Sequence, residues 1–252
     1  MPVTHPDSDE NTNPYPRREV VSFVRRTTRM NPSQERAWES RSDWMIDVPR
    51  GERSTSIAPE AVLDVPEIFG RVAPLVVEIG SGTGDALVAG AQAHPEWNFI
   101  AFEVYRPAMA STMIKLRDAG VSNARLIEAD GVEGLRHLIA PASLTELWTY
   151  FPDPWHKARH AKRRLVQHDL GTLVAGLLHP AGVWRIATDW PEYADHCREV
   201  LDTHPDLQNL HDGPAPRPAD RPITKYEKRG MKAGRTVTDL TYRRRPTEDI
   251  AS

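Results

Sequence analysis

The stretch LVVEIGSGTG, residues 75–84, sets four apolar side chains around one acid and follows them with glycines at 80, 82 and 84. A short apolar run that ends in turn residues reads as a buried strand. Glycines at alternate positions permit a tight turn and let a ligand approach the main chain closely. The next residues, DALVAGAQA (85–93), suit a helix, so the whole reads strand, glycine loop, helix. The pattern alone does not choose a ligand. Nicotinamide enzymes carry a similar loop with one more residue before the third glycine, and such a turn can also serve only to pack helix on strand.

The alternation continues outward. Further apolar runs are NFIAFEV (98–104), ARLIEAD (124–130), LTELWTYF (144–151) and GVWRIATD (182–189). Between them lie stretches suited to helices, at 107–119, 132–139 and 162–178. The last shows Leu165, Val166, Leu170, Leu173, Val174, Leu177 and Leu178 at one-face helical spacing, and the segment HPAG (179–182) stops it. Strand–helix alternation predicts an α/β fold with a parallel, doubly wound sheet and ligand sites at the carboxyl ends of its strands. Beyond Leu201, the Pro-rich segment DGPAPRPADRP (212–222) reads as a loop. The segments ITKYEKR (223–229) and TVTDLTYRR (236–244) read as two strands of an antiparallel hairpin at a sheet edge. The expected organisation is a disordered tail over 1–16, a basic leader over 17–60 that packs on or gates the site, and one domain over 61–252.

Composition limits the function classes. The chain has 252 residues, of which 39% are hydrophobic, with one cysteine, Cys197, and a net charge of -3. No intrachain disulfide can form, the first sixteen residues lack the apolar core of a secretory signal, and no run is long enough to span a membrane. A reducing cytoplasm is the expected home. The charge is strongly segregated. Residues 17–29 hold five arginines against Glu19, and residues 217–245 hold ten Lys/Arg against Asp220, Glu227 and Asp239. A third basic block follows Asp153 in FPDPWHKARHAKRRL (151–165). One such cluster is often a solvated face, whereas three point to a phosphate-rich partner.

Acids recur at the strand ends. Glu78, Glu103, Asp130, Asp153 and Asp189 each fall at or just after the end of one of the five runs. Helix capping accounts for aspartate in this position but not for Glu78 and Glu103. A ring of carboxylates would repel a dinucleotide pyrophosphate and attract S-adenosylmethionine, which has no phosphate and carries a sulfonium and an ammonium. Glu103, about twenty residues past the glycines, is placed for the ribose hydroxyls. Asp130, followed by Gly131, is placed for the adenine edge.

On the substrate side, Pro152 and Pro154 restrict the main chain around Asp153, and Trp155 offers a face on which a base can stack. Lys162, Arg163 and Arg164 fall in the first turn of the expected 162–178 helix, where the dipole disfavours cations unless an anion such as a nucleic-acid phosphate sits there too. His156 and His160 lack further ligands at metal spacing, so no metal is expected.

These motifs together resemble one family. FPDPWHKARHAKRRL, EIGSGTG, FEVYRP (102–107), ATDW (187–190), TKYEKRG (224–230) and SFVRR (22–26) are similar to the motifs of bacterial tRNA (guanine-N7-)-methyltransferases. The likeness runs from Ser22 to Arg243; the string around Asp153 is specific to the family, and the glycine loop is shared by most methyltransferases. The family more usually has proline at His156 and lysine at Ala158. The resemblance implies a class I Rossmann-like methyltransferase that methylates N7 of guanosine 46 in the tRNA variable loop. It implies donor contacts from Glu78, Gly80, Gly82, Gly84, Glu103, Asp130 and Asp153, with Asp153 also catalytic. It further implies substrate contacts from Lys157, Asp189, Thr224, Lys225, Tyr226 and Glu227, and RNA contacts from Arg159, His160, Lys162, Arg163 and Arg164. Carboxylates among Asp153, Asp189 and Glu227 are expected to accept hydrogen bonds from the guanine N1–H and N2 amino group. No obligate protein partner is expected. An exocyclic-amine methyltransferase, an NAD-binding oxidoreductase and a non-enzymatic RNA-binding module are the alternatives.

Overall fold

The structure, a computed structural model, describes residues 29–246. The chain begins with α1 (Pro32–Glu39) and α2 (Val65–Phe69), then alternates β1 (Leu75–Ile79), α3 (Asp85–Ala93), β2 (Asn98–Glu103), α4 (Arg106–Asp118), β3 (Ala124–Glu128), α5 (Gly131–Leu138) and β4 (Leu144–Tyr150). It continues with α6 (His168–Leu177), β5 (Leu178–Thr188), α7 (Pro191–Leu201), β6 (Leu207–Asn209), α8 (Lys225–Lys232) and β7 (Thr238–Arg244). Every side chain of β1 is buried, as expected of a central strand with helices on both faces. Successive residues alternate between two cores. Val77 and Ile79 pack with α5, α6 and α7, whereas Val76 packs with α1, α3 and α4.

The sheet order is β3-β2-β1-β4-β5-β7-β6, and the order reverses beside β1, so the carboxyl ends of β1 and β4 flank a crevice. β1 to β5 are parallel; β7 runs antiparallel to both β5 and β6. The expected hairpin is thereby corrected. Residues 225–232 form α8, and β7 enters the sheet between β5 and β6 instead of pairing with the segment before it. The physical reason is an N-cap: Thr224 Oγ1 accepts from Glu227 N at 3.2 Å and starts a helix at Lys225.

A second correction concerns the basic string. Lys162 and Arg163 lie in a 3-10 helix over Ala158–Arg163, and Arg164 follows it. Gln167 is extended, and its side-chain amide donates to the carbonyls of Ala161 and Arg164, closing that turn before α6 opens at His168. These cations therefore lie ahead of α6 and not in its first turn.

The leader from residue 29 onward packs on the domain. Asn31 and Gln34 form a capping box for α1, and Gln34 Nε2 also donates to Pro107 O and Ser111 Oγ of α4. Leu126 of the edge strand β3 exchanges main-chain hydrogen bonds with Trp44 and Ile46, which covers that edge. The arginines from 17 to 26 lie outside the described residues.

Candidate active site

A cavity of about 370 Å³ opens at the carboxyl ends of β1, β2, β4 and β5, within the range of small-molecule sites. It is lined by the glycine loop, by residues 150–154 and by Trp190, and it carries six carboxylates: Glu78, Asp85, Glu103, Asp130, Asp153 and Asp189. Two arginines, Arg229 and Arg235, also face it. All three loop glycines adopt positive φ, 67° at Gly80, 55° at Gly82 and 73° at Gly84. At Gly84 a Cβ would also sit 2.3 Å from Thr112 Cγ2, so α3 and α4 could not approach with any larger residue there.

The acids are held differently, and each arrangement follows from its neighbours. Glu103 is oriented by the main chain: Oε2 accepts from Gly82 N at 2.8 Å, and Oε1 accepts from Val104 N and Tyr105 N. Asp130 caps α5, with Oδ1 accepting from Val132 N and Glu133 N, while burial raises its pKa. Glu78 is 3% exposed, and its Oε2 is buried without a hydrogen-bond partner. Burial, reinforced by Glu103 and Asp85, lifts its pKa to about 8. A buried carboxylate with an unsatisfied oxygen beside a cavity is stabilised by a cationic ligand, which fits the ammonium end of S-adenosylmethionine. The same ring of acids does not fit a pyrophosphate.

Asp153 stands half-buried at the mouth, between residues of unusual conformation. Phe151 and Trp155 both have positive φ, 53° and 46°, rare for aromatic residues and costing about 1–3 kcal/mol each. Arg164 is turned inward and braces this loop, donating Nε to Pro154 O at 3.2 Å. Lys157, Arg159, Lys162 and Arg163 are exposed beside it, and His160 is half-exposed. The Trp155 ring faces the Arg163 guanidinium at 5.0 Å and the His160 edge, so it belongs to the basic string and not to the cavity wall.

Asp189 does not cap α7, whose cap residue is Trp190. Its Oδ2 accepts from Arg235 Nε at 2.7 Å, and α8 passes so close that a Cβ on Gly230 would lie 2.4 Å from that oxygen. Trp190 bridges the segment after Asp153 and the segment after α8: Arg235 lies 5.2 Å over its ring, and the His156 ring packs against it, tilted, at 3.9 Å between centroids. Thr224 lines the cavity, but Glu227 does not. Both Glu227 oxygens are ion-paired, Oε1 to Arg217 and Oε2 to Arg221 at 2.9 Å. Glu227 is 2% exposed, so in this structure its carboxylate is buried and already engaged, unlike Asp153 and Asp189 on the cavity wall. Lys225 and Tyr226 sit in the first turn of α8; their side chains lie outside the described residues.

Sequence reasoning missed Arg221, Arg229 and Arg235, which link or line this site. The available signal was Thr-x-x-Glu at 224–227, a helix-start pattern that would have placed α8 and its cations. Among the described residues no cluster of metal-ligating side chains occurs.

A 3-2-1-4-5-7-6 sheet with β7 antiparallel, a glycine loop after β1 and a carboxylate-lined crevice beyond it together define a class I, S-adenosylmethionine-dependent methyltransferase. The family described as putative methyltransferase matches residues 72–240. The tRNA (guanine-N(7)-)-methyltransferase of Cutibacterium acnes is 57% identical over 232 residues, covering 90% of this chain and 84% of that protein; its counterpart in an Arthrobacter species is 47% identical, covering 84% and 67%. The chain belongs to the tRNA (guanine-N(7)-)-methyltransferase family. Among solved structures, the 16S rRNA (adenine(1408)-N(1))-methyltransferase of Catenulisporales acidiphilia aligns with a TM-score of 0.51 at 16% identity, covering 80% of this chain and all of that one, which shows the shared fold.

Proposed function

We propose that this protein methylates N7 of a guanosine in tRNA, that the target is position 46 of the variable loop, and that it acts in the cytoplasm. The observation that carries this reading is the position of Asp153. It lies on the wall of the carboxylate-lined cavity, and the exposed cations from Lys157 to Arg163 begin four residues later. One site thus joins a pocket for a cation to a surface for a polyanion. Among the described residues no helix is long and apolar enough to cross a membrane.

S-adenosylmethionine supplies a methyl group from a sulfonium, and guanine N7 brings its own lone pair, so no proton has to leave first. Asp153 therefore needs no basicity. Its work is to orient the base and to offset the positive charge that grows on the ring, together with Asp189, which Arg235 holds in one orientation. Glu78 and Glu103 act at the donor end: Glu78 meets the ammonium, and Glu103, fixed by three main-chain N–H groups, meets the ribose. Contacts from Arg164 to Pro154 O and from Arg221 over Phe151 hold the loop in its strained conformation, which sets Asp153 at the mouth before substrate arrives.

The test is incubation with labelled S-adenosylmethionine and unmodified tRNA, followed by chemical cleavage at N7-methylguanosine. The label should appear at position 46 and vanish when that guanosine is replaced; methylation of the replaced tRNA would refute the position. In the same assay Asp153→Asn is expected to lower the single-turnover rate about 100-fold while tRNA affinity stays within a few-fold. A wild-type rate in that variant would remove Asp153 from the reaction.

A further inference from the structure

A second cavity, of about 470 Å³, opens beside the first and is lined by Asp85, Pro222, Ile223, Lys228, Arg229 and Lys232. Asp85 and Arg229 line both. We infer that this cavity is a second phosphate subsite, in which the outer face of α8 grips the tRNA backbone on the side of the target nucleotide opposite the Lys157–Arg163 string. The inference rests on the tRNA reading above and adds residues and a place to it.

Three observations lead there. The first is the division of labour on α8. Its inner side is locked to the domain, because Glu227 is ion-paired with Arg217 and Arg221, and Gly230 lies against Asp189. Its outer side presents Lys228, Arg229 and Lys232, all exposed, and among the described residues none of the three forms an ion pair. The helix dipole accounts for a cation in the last turn but not for Lys228 one turn earlier. Lys228 and Lys232 are four apart, a like-charge spacing that weakens a helix unless an anion lies between them.

The second observation is the chemistry of the cavity. Its single acid, Asp85, is already neutralised by the Lys115 ammonium, which also donates to Thr83 O at 2.7 Å. Pro222 and Ile223, the latter 47% exposed, give an apolar wall next to the cations. An apolar wall beside unpaired cations suits a sugar–phosphate unit better than a free carboxylate or a peptide, since the sugar covers the wall while the phosphate meets the charges.

The third is geometry. A nucleotide turned into the first cavity has a phosphate on each side, and both must lie at the mouth. Pro154, which leads into the exposed string after it, lines that cavity, and so do Thr224 and Arg229 of the α8 segment. Both segments that line the cavity thus carry cations, and the α8 segment is anchored by the buried Glu227 pairs on its inner side. Two fixed grips on the backbone would set the target base in register with Asp153 without reading neighbouring bases.

The test uses the full chain and measures tRNA affinity between 0.05 and 1 M NaCl for wild type and for Lys228→Gln/Lys232→Gln. A charge-matched control, Arg117→Gln/Arg136→Gln, removes cations from the carboxyl-terminal turns of α4 and α5, neither arginine lining either cavity. Loss of two phosphate contacts should reduce the slope of log affinity against log salt by roughly 1.4–1.8. Affinity should then fall about 25- to 60-fold at 0.1 M and converge with wild type near 1 M, while S-adenosylmethionine affinity stays unchanged. The control should keep the wild-type slope. An unchanged slope in the α8 variant, or an equal loss in the control, would overturn the subsite. A wild-type chain with no salt-dependent tRNA affinity would instead overturn the tRNA reading, and this inference with it.

Discussion

Replacing Glu78 with glutamine is expected to stabilise the donor-free protein and to weaken S-adenosylmethionine binding by roughly two to three orders of magnitude. Burial, with help from Glu103 and Asp85, raises the Glu78 pKa from 4.5 to about 8. Between those values the folded chain keeps a proton that the unfolded chain has released, so stability falls as pH rises through that window and levels off above it. The cost is about 3 kcal/mol at pH 7 and about 5 kcal/mol above pH 8. Glutamine carries no such cost, so the stability gap between variant and wild type in urea titrations should widen from pH 5 to pH 8. Binding shows the same linkage from the other side. A cationic donor selects the ionised form, so wild-type affinity should rise with pH up to about 8, and binding below that should release a proton. Calorimetry in buffers of different ionisation enthalpy measures that proton. If Glu78→Gln bound the donor normally and gained no stability, the ammonium would have to sit elsewhere.

Arg221→Met carries the second large effect. The Arg221 side chain is fully buried, paired with Glu227 of α8 and with Asp239 of β7 at 2.9 Å each, and it lies 5.7 Å over the rings of Tyr150 and Phe151. One guanidinium therefore ties the strained loop that carries Asp153 to the helix that borders both cavities. Removing it leaves the buried Asp239 carboxylate unpaired and Glu227 with Arg217 alone, and should cost about 3–5 kcal/mol. The Asp239 pKa is raised by burial even with Arg221 present. Without Arg221 the Asp239 carboxyl should titrate higher still, so the variant should lose stability as pH rises from 5 to 8. Adding Glu227→Gln and Asp239→Asn should restore most of the stability, because neutral groups replace one unpaired and one half-paired buried charge. Methylation by this triple variant should remain low, with S-adenosylmethionine affinity nearly normal, because α8 has lost its anchor. Recovery of activity together with stability would reduce Arg221 to a folding role.

These two residues also mark how far the sequence could be read. Glu78 stood at the end of an apolar run before three glycines, and local pattern was enough to place it at a cavity wall. The strands and helices from β1 to α5 fall within one or two residues of their expected limits, because each is a short periodic segment bounded by its own turn signals. Arg221 had no such signal. It sits in a Pro-rich segment that reads as loop, and its partners Tyr150, Glu227 and Asp239 come from three separate elements. Glu227 was legible as a carboxylate in a motif, but not as one already occupied.

The sequence by itself determined the parallel α/β order, the glycine loop, the ring of acids and the basic string after Asp153. All of these depend on residue type and short-range spacing. Only the tertiary structure decided that α8 replaces a strand, that β7 inserts between β5 and β6, and that Asp189 and Glu227 differ in what they can reach. Those outcomes depend on buried ion pairs and on strand partners more than thirty residues away, as for Trp184 with Tyr242. The energy of such contacts exists only once the chain has closed around them, so no local window contains it.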